Sequence, residues 1–302
     1  MAISKWEKAS IDFLDSLTLL YRQLLRQFGV KPKKSLGQHF LVDEAILEHI
    51  LSAAEISPGE LVVEVGPGLG MLTYGLAKRG AKVMAIEIDS KLVALLKKRL
   101  AAFPDVQIIH ADILKVIPRQ LLQNNLTASA LFRGYKVVAN LPYYITSPVL
   151  RHFFEAPLRP SAMVVMVQKE VGEAIAATPG KMSLLSVRTQ SYSKPTIISY
   201  VPAASFYPPP KVDSVILRLD VYPQPPIEVA DVAGFFDMVI RGFSSPRKQL
   251  RNSLAHSLEM LPSQVASLLE QAGIDGKRRA ETLSLEEWRE LWKTFAPFTE
   301  RL

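Results

Sequence analysis

Short β-branched runs and helical spacings alternate from about Val62 to Leu219, a rhythm that predicts crossover units and a mostly parallel sheet. Strands are expected at residues 61–65, 82–87, 106–110, 136–139, 162–167, 196–201 and 215–219, enough for one seven-stranded sheet. Helices fit between them at residues 44–54, 69–79, 91–101, 148–154 and 170–176. Residues 221–226 carry Pro223, Pro225 and Pro226, support neither ladder nor helix, and read as a linker. Beyond it the apolar positions change to helical periods: Phe235, Phe236, Val239, Ile240 and Phe243, then Leu250 and Leu254, then Val265, Leu268 and Leu269, then Trp288, Leu291 and Trp292. The fold class expected is α/β, an open seven-stranded sheet followed by a small all-helical domain. Before the sheet, Leu14, Leu17, Leu20, Leu24 and Phe28 recur at three or four residues and predict an amphipathic helix, most simply one that packs on the domain behind it. The division expected is therefore a helical extension at residues 1–30, a catalytic domain at 31–220 and a helical domain at 227–302.

Composition narrows the chemistry. The 302 residues include no Cys, which removes disulfide scaffolds, zinc–thiolate sites, iron–sulfur clusters and cysteine nucleophiles. An apolar fraction of 48% with 22% charged residues is the balance of a protein with a sizeable core. Glu7, Asp12 and Asp15 interrupt any secretory signal, and no run approaches the roughly 20 apolar residues that span a bilayer, so a cytoplasmic protein with no membrane partner is expected. The formal charge of +7 fits a polyanionic partner.

The most informative stretch runs from Val62 through Gly66, Gly68 and Gly70, a buried strand leading through three glycines into a helix. Glycine serves where a Cβ would collide with a ligand or φ must be positive, and the helix N-terminus adds unpaired N–H groups. The pattern G-x-G-x-G matches neither the dinucleotide fingerprint nor the phosphate loop. It resembles instead the class I S-adenosylmethionine-dependent methyltransferases, Rossmann-like sheets that bind at the carboxyl ends of their strands. Glu87, 21 positions after Gly66, ends the second strand, where a carboxylate can accept both ribose hydroxyls. Asp112 follows the third strand, where it can accept from an adenine amino group. Glu64 and Asp89 compete for nearby roles, and either is equally a solvated or capping group.

Asn140, Leu141, Pro142 and Tyr143 directly follow the fourth strand. An exocyclic adenine amine is a poor nucleophile because its lone pair is delocalised into the ring. Two acceptors for its N–H groups, the Asn140 side-chain carbonyl and the backbone carbonyl of Leu141 or Pro142, favour a pyramidal nitrogen with a free lone pair. Tyr143 offers a face for an unstacked base, and in-line attack then needs positioning more than a strong base. Tyr144 reads as packing. In isolation the tetrapeptide is equally an ordinary strand-to-loop turn.

Five segments, Lys33 to Leu41, Glu64 to Gly70, Asn140 to Pro148, Gln168 to Val171 and Phe206 to Ser214, together resemble the KsgA/RsmA family of rRNA adenine N6,N6-dimethyltransferases, from about Lys31 to Phe295. The resemblance implies S-adenosylmethionine as cofactor, no metal, and small-subunit rRNA in an assembling ribosomal particle as partner. The substrate implied is two adjacent adenosines in a hairpin near the 3′ end of that rRNA, and a monomeric enzyme is expected. Carried over by motif, cofactor contacts fall on His39, Leu41, Gly66, Gly68, Glu87, Asp112 and Asn140, and the catalytic set on Asn140, Leu141, Pro142, Tyr143 and Phe206. His39 departs from the family, which often has Asn there; either side chain forms hydrogen bonds. Phe206, on a Pro-rich loop, is expected to wall a flipped base or else to tuck into the core.

Arg241, Arg247, Lys248 and Arg251 carry four charges with no intervening acid and are expected to meet RNA phosphates. Lys277, Arg278 and Arg279 form a second run, and Lys31, Lys33 and Lys34 a third near the cofactor entrance. Two other readings stay open: a large-subunit rRNA adenine N6-methyltransferase, and an RNA-binding assembly or transcription factor that keeps the fold without turnover.

Overall fold

The computed structural model describes residue 23 and residues 25–119, 134–224 and 231–299. Leu14, Leu17, Leu20 and Leu24 of the expected N-terminal helix, and Pro225 and Pro226 of the expected linker, lie outside the described residues.

After a short strand β1 (Phe40–Leu41) come α1 (Glu44–Ala54), β2 (Leu61–Val65), α2 (Met71–Lys78), β3 (Lys82–Glu87), α3 (Ser90–Arg99) and β4 (Val106–His110). Then follow β5 (Lys136–Asn140), α4 (Thr146–Phe154), β6 (Ala162–Gln168), α5 (Lys169–Ile175), α6 (Leu184–Gln190), β7 (Ser193–Val201), β8 (Phe206–Tyr207) and β9 (Ser214–Val221). The seven-stranded sheet has the order β4-β3-β2-β5-β6-β9-β7, and β1 pairs with β8 in a separate two-stranded sheet. The strands from β4 to β6 run parallel, whereas β9 is antiparallel to β6. Every residue of β2 is buried, as a central parallel strand covered on both faces requires. Capping carboxylates start the helices that follow strands: Asp43 accepts from Ala45 N and Ile46 N before α1, and Asp89 from Lys91 N before α3. Val63↔Val137 and Glu64↔Val138 set the register of β2 and β5 and bring the glycine loop beside the Asn140 turn.

Contacts divide the chain into two units, 1–172 with 196–221, and 173–195 with 222–302. The second contains α6 and four further helices, α7 (Val232–Gly242), α8 (Leu250–Ser257), α9 (Pro262–Gln271) and α10 (Leu285–Thr299). Its core centres on Trp288, fully buried and stacked on Phe243 with ring centres 5.5 Å apart.

Three differences from the sequence reading have physical causes. Residues 173–195, read as part of the 31–220 domain, belong to the helical unit because Gly180 N and Met182 N donate to Glu281 O, and Tyr192 stacks on Phe236 at 5.9 Å. Val221, read as linker, ends β9 in register with the sheet. The two-residue strands β1 and β8 and the seven-residue α6 are too short for periodicity to announce.

Candidate functional site

The chain leaves β2 through Gly66, Pro67, Gly68, Leu69 and Gly70 and enters α2. Gly66 and Gly68 hold φ of 67° and 57°, left-handed values that strain any other residue. Space is tight as well: a Cβ on Gly68 would stand 3.0 Å from Phe40 Cδ1, so the ring would have to give way. The loop thus presents bare backbone to the pocket it lines.

Glu87, the last residue of β3, is 5% exposed and faces this loop. Gly68 N donates to its Oε2 at 3.3 Å and Asp89 N to its Oε1 at 2.9 Å, which orients the carboxyl and leaves each oxygen a lone pair for another donor. Burial raises its pKa above the ordinary carboxylate range against the pull of those two bonds. Asp112, past β4, accepts from Leu114 N at 3.0 Å through Oδ1, so the turn holds its carboxyl at the same pocket.

Glu64 is the buried acid of β2. Burial foremost, with the charge of Glu87 acting in the same direction, pushes its pKa up to about 8, and its Oε2 is buried with no hydrogen-bond partner. The pH consequence has a definite sign. The folded state holds this proton up to about pH 8 and the unfolded chain only to about 4.5, so the group subtracts stability as pH rises through that window. Across pH 5 to 8 the melting temperature of the wild type is expected to fall relative to that of Glu64→Gln, an isosteric neutral change. Parallel melting curves for the two proteins would show that Glu64 is not buried neutral.

Asn140 ends β5, and its Nδ2 donates to His39 O at 3.2 Å, which leaves the side-chain carbonyl as its acceptor. Leu141 is buried and its N–H is spent on Met166 O at 3.1 Å, so the turn is pinned to the sheet. Ile145 N donates to Pro142 O at 3.1 Å and closes a short 3-10 turn over Tyr143–Ile145. The Tyr143 hydroxyl shares a hydrogen bond with Ser214 Oγ at 2.8 Å; burial first, and Asp213 secondarily, raise its pKa, so the ring stays neutral. His39 stacks on Tyr143 with ring centres 5.8 Å apart and 22° between planes. Its Nδ1 lies 2.7 Å from Pro208 O, and since a carbonyl only accepts, Nδ1 carries the proton.

His39, Leu41, Gly66, Gly68, Glu87, Asp112, Asn140, Leu141, Pro142 and Tyr143 all line one pocket, with Glu64 among them. Phe206 does not. It is 3% exposed, pairs with Leu41 between β1 and β8, and packs in the core with Ile50 and Leu72, so its ring is covered rather than offered to a base. Tyr144 departs in the opposite sense: 55% exposed at the pocket, it is not a packing residue.

The segment before β1 is tied to the site through Asp89. Lys33 Nζ lies 2.8 Å from Asp89 Oδ2, Gln38 Nε2 donates to the same oxygen at 3.4 Å, and Lys33 N donates to Gln38 Oε1 at 2.8 Å. The Asp89 side chain is fully buried, so these bonds fasten the segment before β1 to the end of β3. Lys33 is therefore a partner of Asp89 rather than a cation held out for phosphate. Only the pairing of distant segments reveals it.

The basic clusters are sorted in the same way. Arg241 Nε lies 2.5 Å from Asp237 Oδ2, and its Nη1 donates to Ser257 O, so that charge is paired one turn back along its own helix. Arg251 is half-buried and its Nε is enclosed without a partner among the described residues. Arg247 and Lys248 are exposed. In the second run, Arg278 is bound by Glu287 and Thr282, and Arg279 lies 3.7 Å from Glu281.

The profile of the ribosomal RNA adenine dimethylase family matches residues 29–296. Ribosomal RNA small subunit methyltransferase A of Dehalococcoides mccartyi is 46% identical over 282 residues, 93% of this chain and 94% of the relative. The protein of the same description from Moorella thermoacetica is 44% identical over 274 residues, 90% of this chain and 95% of the relative. Among solved structures, the 23S rRNA methyltransferase ErmE superposes with a TM-score of 0.67 at 28% identity, covering 85% of this chain and 99% of its own. A dimethyladenosine transferase from Plasmodium falciparum shares the fold with a TM-score of 0.71 at 24% identity, covering 86% of this chain and 98% of its own. The match of profile and relatives over nearly the whole length establishes that the chain belongs to the ribosomal RNA adenine dimethylase family.

Proposed function

We propose that this chain transfers methyl groups from S-adenosylmethionine to N6 of two adjacent adenosines in a 3′-terminal hairpin of small-subunit rRNA, giving N6,N6-dimethyladenosine as the particle assembles. The observation that carries this reading is the turn after β5: a pinned backbone with the Asn140 side-chain carbonyl left as an acceptor at the rim of the glycine-loop pocket.

The residues fit the cofactor. Gly66 and Gly68 let it approach the backbone, Glu87 retains a lone pair on each oxygen for the two ribose hydroxyls, and Asp112 stands where an adenine amine can donate. When bound, S-adenosylmethionine supplies an electrophilic methyl group on a sulfonium. The chain's own part is to prepare the nucleophile. Asn140 Oδ1 and one backbone carbonyl accept the two N–H bonds of the target amine and localise its lone pair. The second acceptor is the backbone carbonyl of Leu141 or that of Pro142, which keeps a lone pair beside the bond it takes from Ile145 N. Tyr143, neutral and tethered to Ser214, with His39 stacked on it, presents an aromatic surface for the unstacked base. Once the nitrogen has gained its methyl it becomes acidic and sheds a proton to water, so no buried base is required.

Arg247 and Lys248, exposed in the helical unit, are the phosphate contacts this reading favours. Arg247→Glu combined with Lys248→Glu is expected to weaken rRNA binding and to reduce the slope of log K against log salt by at least about 1.4. Cofactor affinity should stay normal, and titrations at several salt concentrations make the check.

The higher identity to small-subunit enzymes than to the large-subunit enzyme ErmE supports the choice of substrate. The deciding experiment offers undermethylated small and large subunits with labelled cofactor, followed by nucleoside mass spectrometry. Dimethyladenosine in the small subunit is expected. Label confined to the large subunit would overturn the substrate assignment, and binding without label in either would favour the non-catalytic reading.

A further inference from the structure

The carboxyl edge of the sheet carries an aromatic group that the chemistry above does not use. Tyr200, one residue before the end of β7, is 52% exposed, and Ile198, two positions earlier on the same side of the strand, is 39% exposed. Lys169, the first residue after β6, places Nζ 5.5 Å from the centre of the Tyr200 ring. A lone exposed tyrosine on a strand needs no explanation. This one is joined to the pocket by a chain of bonds. Tyr143 Oη meets Ser214 Oγ at 2.8 Å; the neighbouring Asp213 accepts from Lys169 N through its backbone oxygen at 3.0 Å and from Ala203 N through Oδ1 at 3.0 Å. The same loop exposes Lys211 and Val212.

We propose that Tyr200 and Lys169 form a second RNA-contact site, a stacking platform with an adjacent phosphate-binding cation for a nucleotide flanking the target adenosines. This rests on the reading of the pocket as an adenine site. Such an enzyme must unstack its target, and the neighbouring nucleotide of the distorted strand then needs a surface of its own. A ring on the sheet edge provides one without regard to base identity, because every base has a π-face. The cation that matters is Lys169, which stands over the ring; Lys211 is exposed on the neighbouring loop, and the exposed acids are Asp213, whose carboxylate is engaged with Ala203 N, and Glu170 and Glu173 of α5. A single-stranded, anionic and aromatic partner suits this surface better than an apolar protein helix.

The test compares Tyr200→Ala, Tyr200→Trp and Lys169→Met in full-length protein, with binding to a naked rRNA fragment containing the hairpin and its single-stranded flanks as first readout. Tyr200→Ala is expected to weaken that binding about 5- to 150-fold, as loss of one base stack does. Tyr200→Trp should retain wild-type affinity, and Lys169→Met should flatten the salt dependence. Cofactor affinity and melting temperature, measured on the same samples, should not move; if they fall with RNA affinity in Tyr200→Ala and recover with it in Tyr200→Trp, the ring serves folding and the proposal fails. Wild-type RNA affinity in Tyr200→Ala would also overturn it. So would weakened binding to intact subunits with unchanged binding to naked RNA, which would mark the surface as meeting a ribosomal protein. Methyl transfer is scored separately: a wild type that binds RNA through Tyr200 but transfers no methyl would sink the catalytic reading and leave the platform standing.

Discussion

Asn140→Ala is expected to lower kcat for methyl transfer by about 10²–10³-fold, the range seen when one preorganised polar group is withdrawn from a developing charge. The argument is geometric. Asn140 is held at the end of β5, its Nδ2 is committed to His39 O, and its remaining acceptor is the side-chain carbonyl. Removing it leaves the target amine with a single acceptor, so the lone pair stays conjugated with the ring. Folding should survive, because the turn is pinned by Leu141 N to Met166 O rather than by the Asn140 side chain. Single-turnover methylation at saturating cofactor and RNA separates chemistry from binding. A variant that binds both ligands and turns over at the wild-type rate would remove Asn140 from the mechanism.

Glu87→Ala is expected to act on the other ligand, weakening cofactor affinity about 10- to 150-fold, equivalent to about 1.5–3 kcal/mol for hydrogen bonds to a charged acceptor. The carboxyl is oriented by Gly68 N and Asp89 N, and the lone pairs it has left face the pocket. Truncation also leaves those two N–H groups without their acceptor, so local order of the glycine loop should decline. Because Glu87 is far less concerned with the amine than Asn140, kcat at saturating cofactor should change little. Calorimetric titration of the cofactor and its KM give the measure; a fall in kcat with unchanged affinity would contradict the assignment.

The strands β2 and β3 are legible to the residue, because a parallel strand buried on both faces must be a short, nearly continuous apolar run bounded by polar or turn residues. The pocket is legible for a related reason. In an open α/β sheet each strand end faces the same crevice, so Gly66, Glu87, Asp112 and Asn140 converge once the strands are placed. Phe206 was not legible. On the sequence it is an aromatic in a Pro-rich loop, and only its pairing with Leu41 shows that the ring is covered. The partners of Arg241 are likewise outside the basic run: Asp237 lies four residues before it, and Ser257 O is supplied by another helix.

The amino-acid sequence by itself determined the order of the longer elements, the sheet class, the bare-backbone loop and the acceptor-rich turn, since each is written in local periodicity or in residue types at fixed spacing. The tertiary structure alone decided which charges are spent on one another, that Lys33 and Gln38 fasten onto the buried Asp89, that residues 173–195 pack with the helices, and which aromatic rings remain uncovered. These are contacts between distant segments. Their partners are chosen by packing and by the cost of leaving buried polar groups unpaired, and neither constraint leaves a periodic trace along the chain.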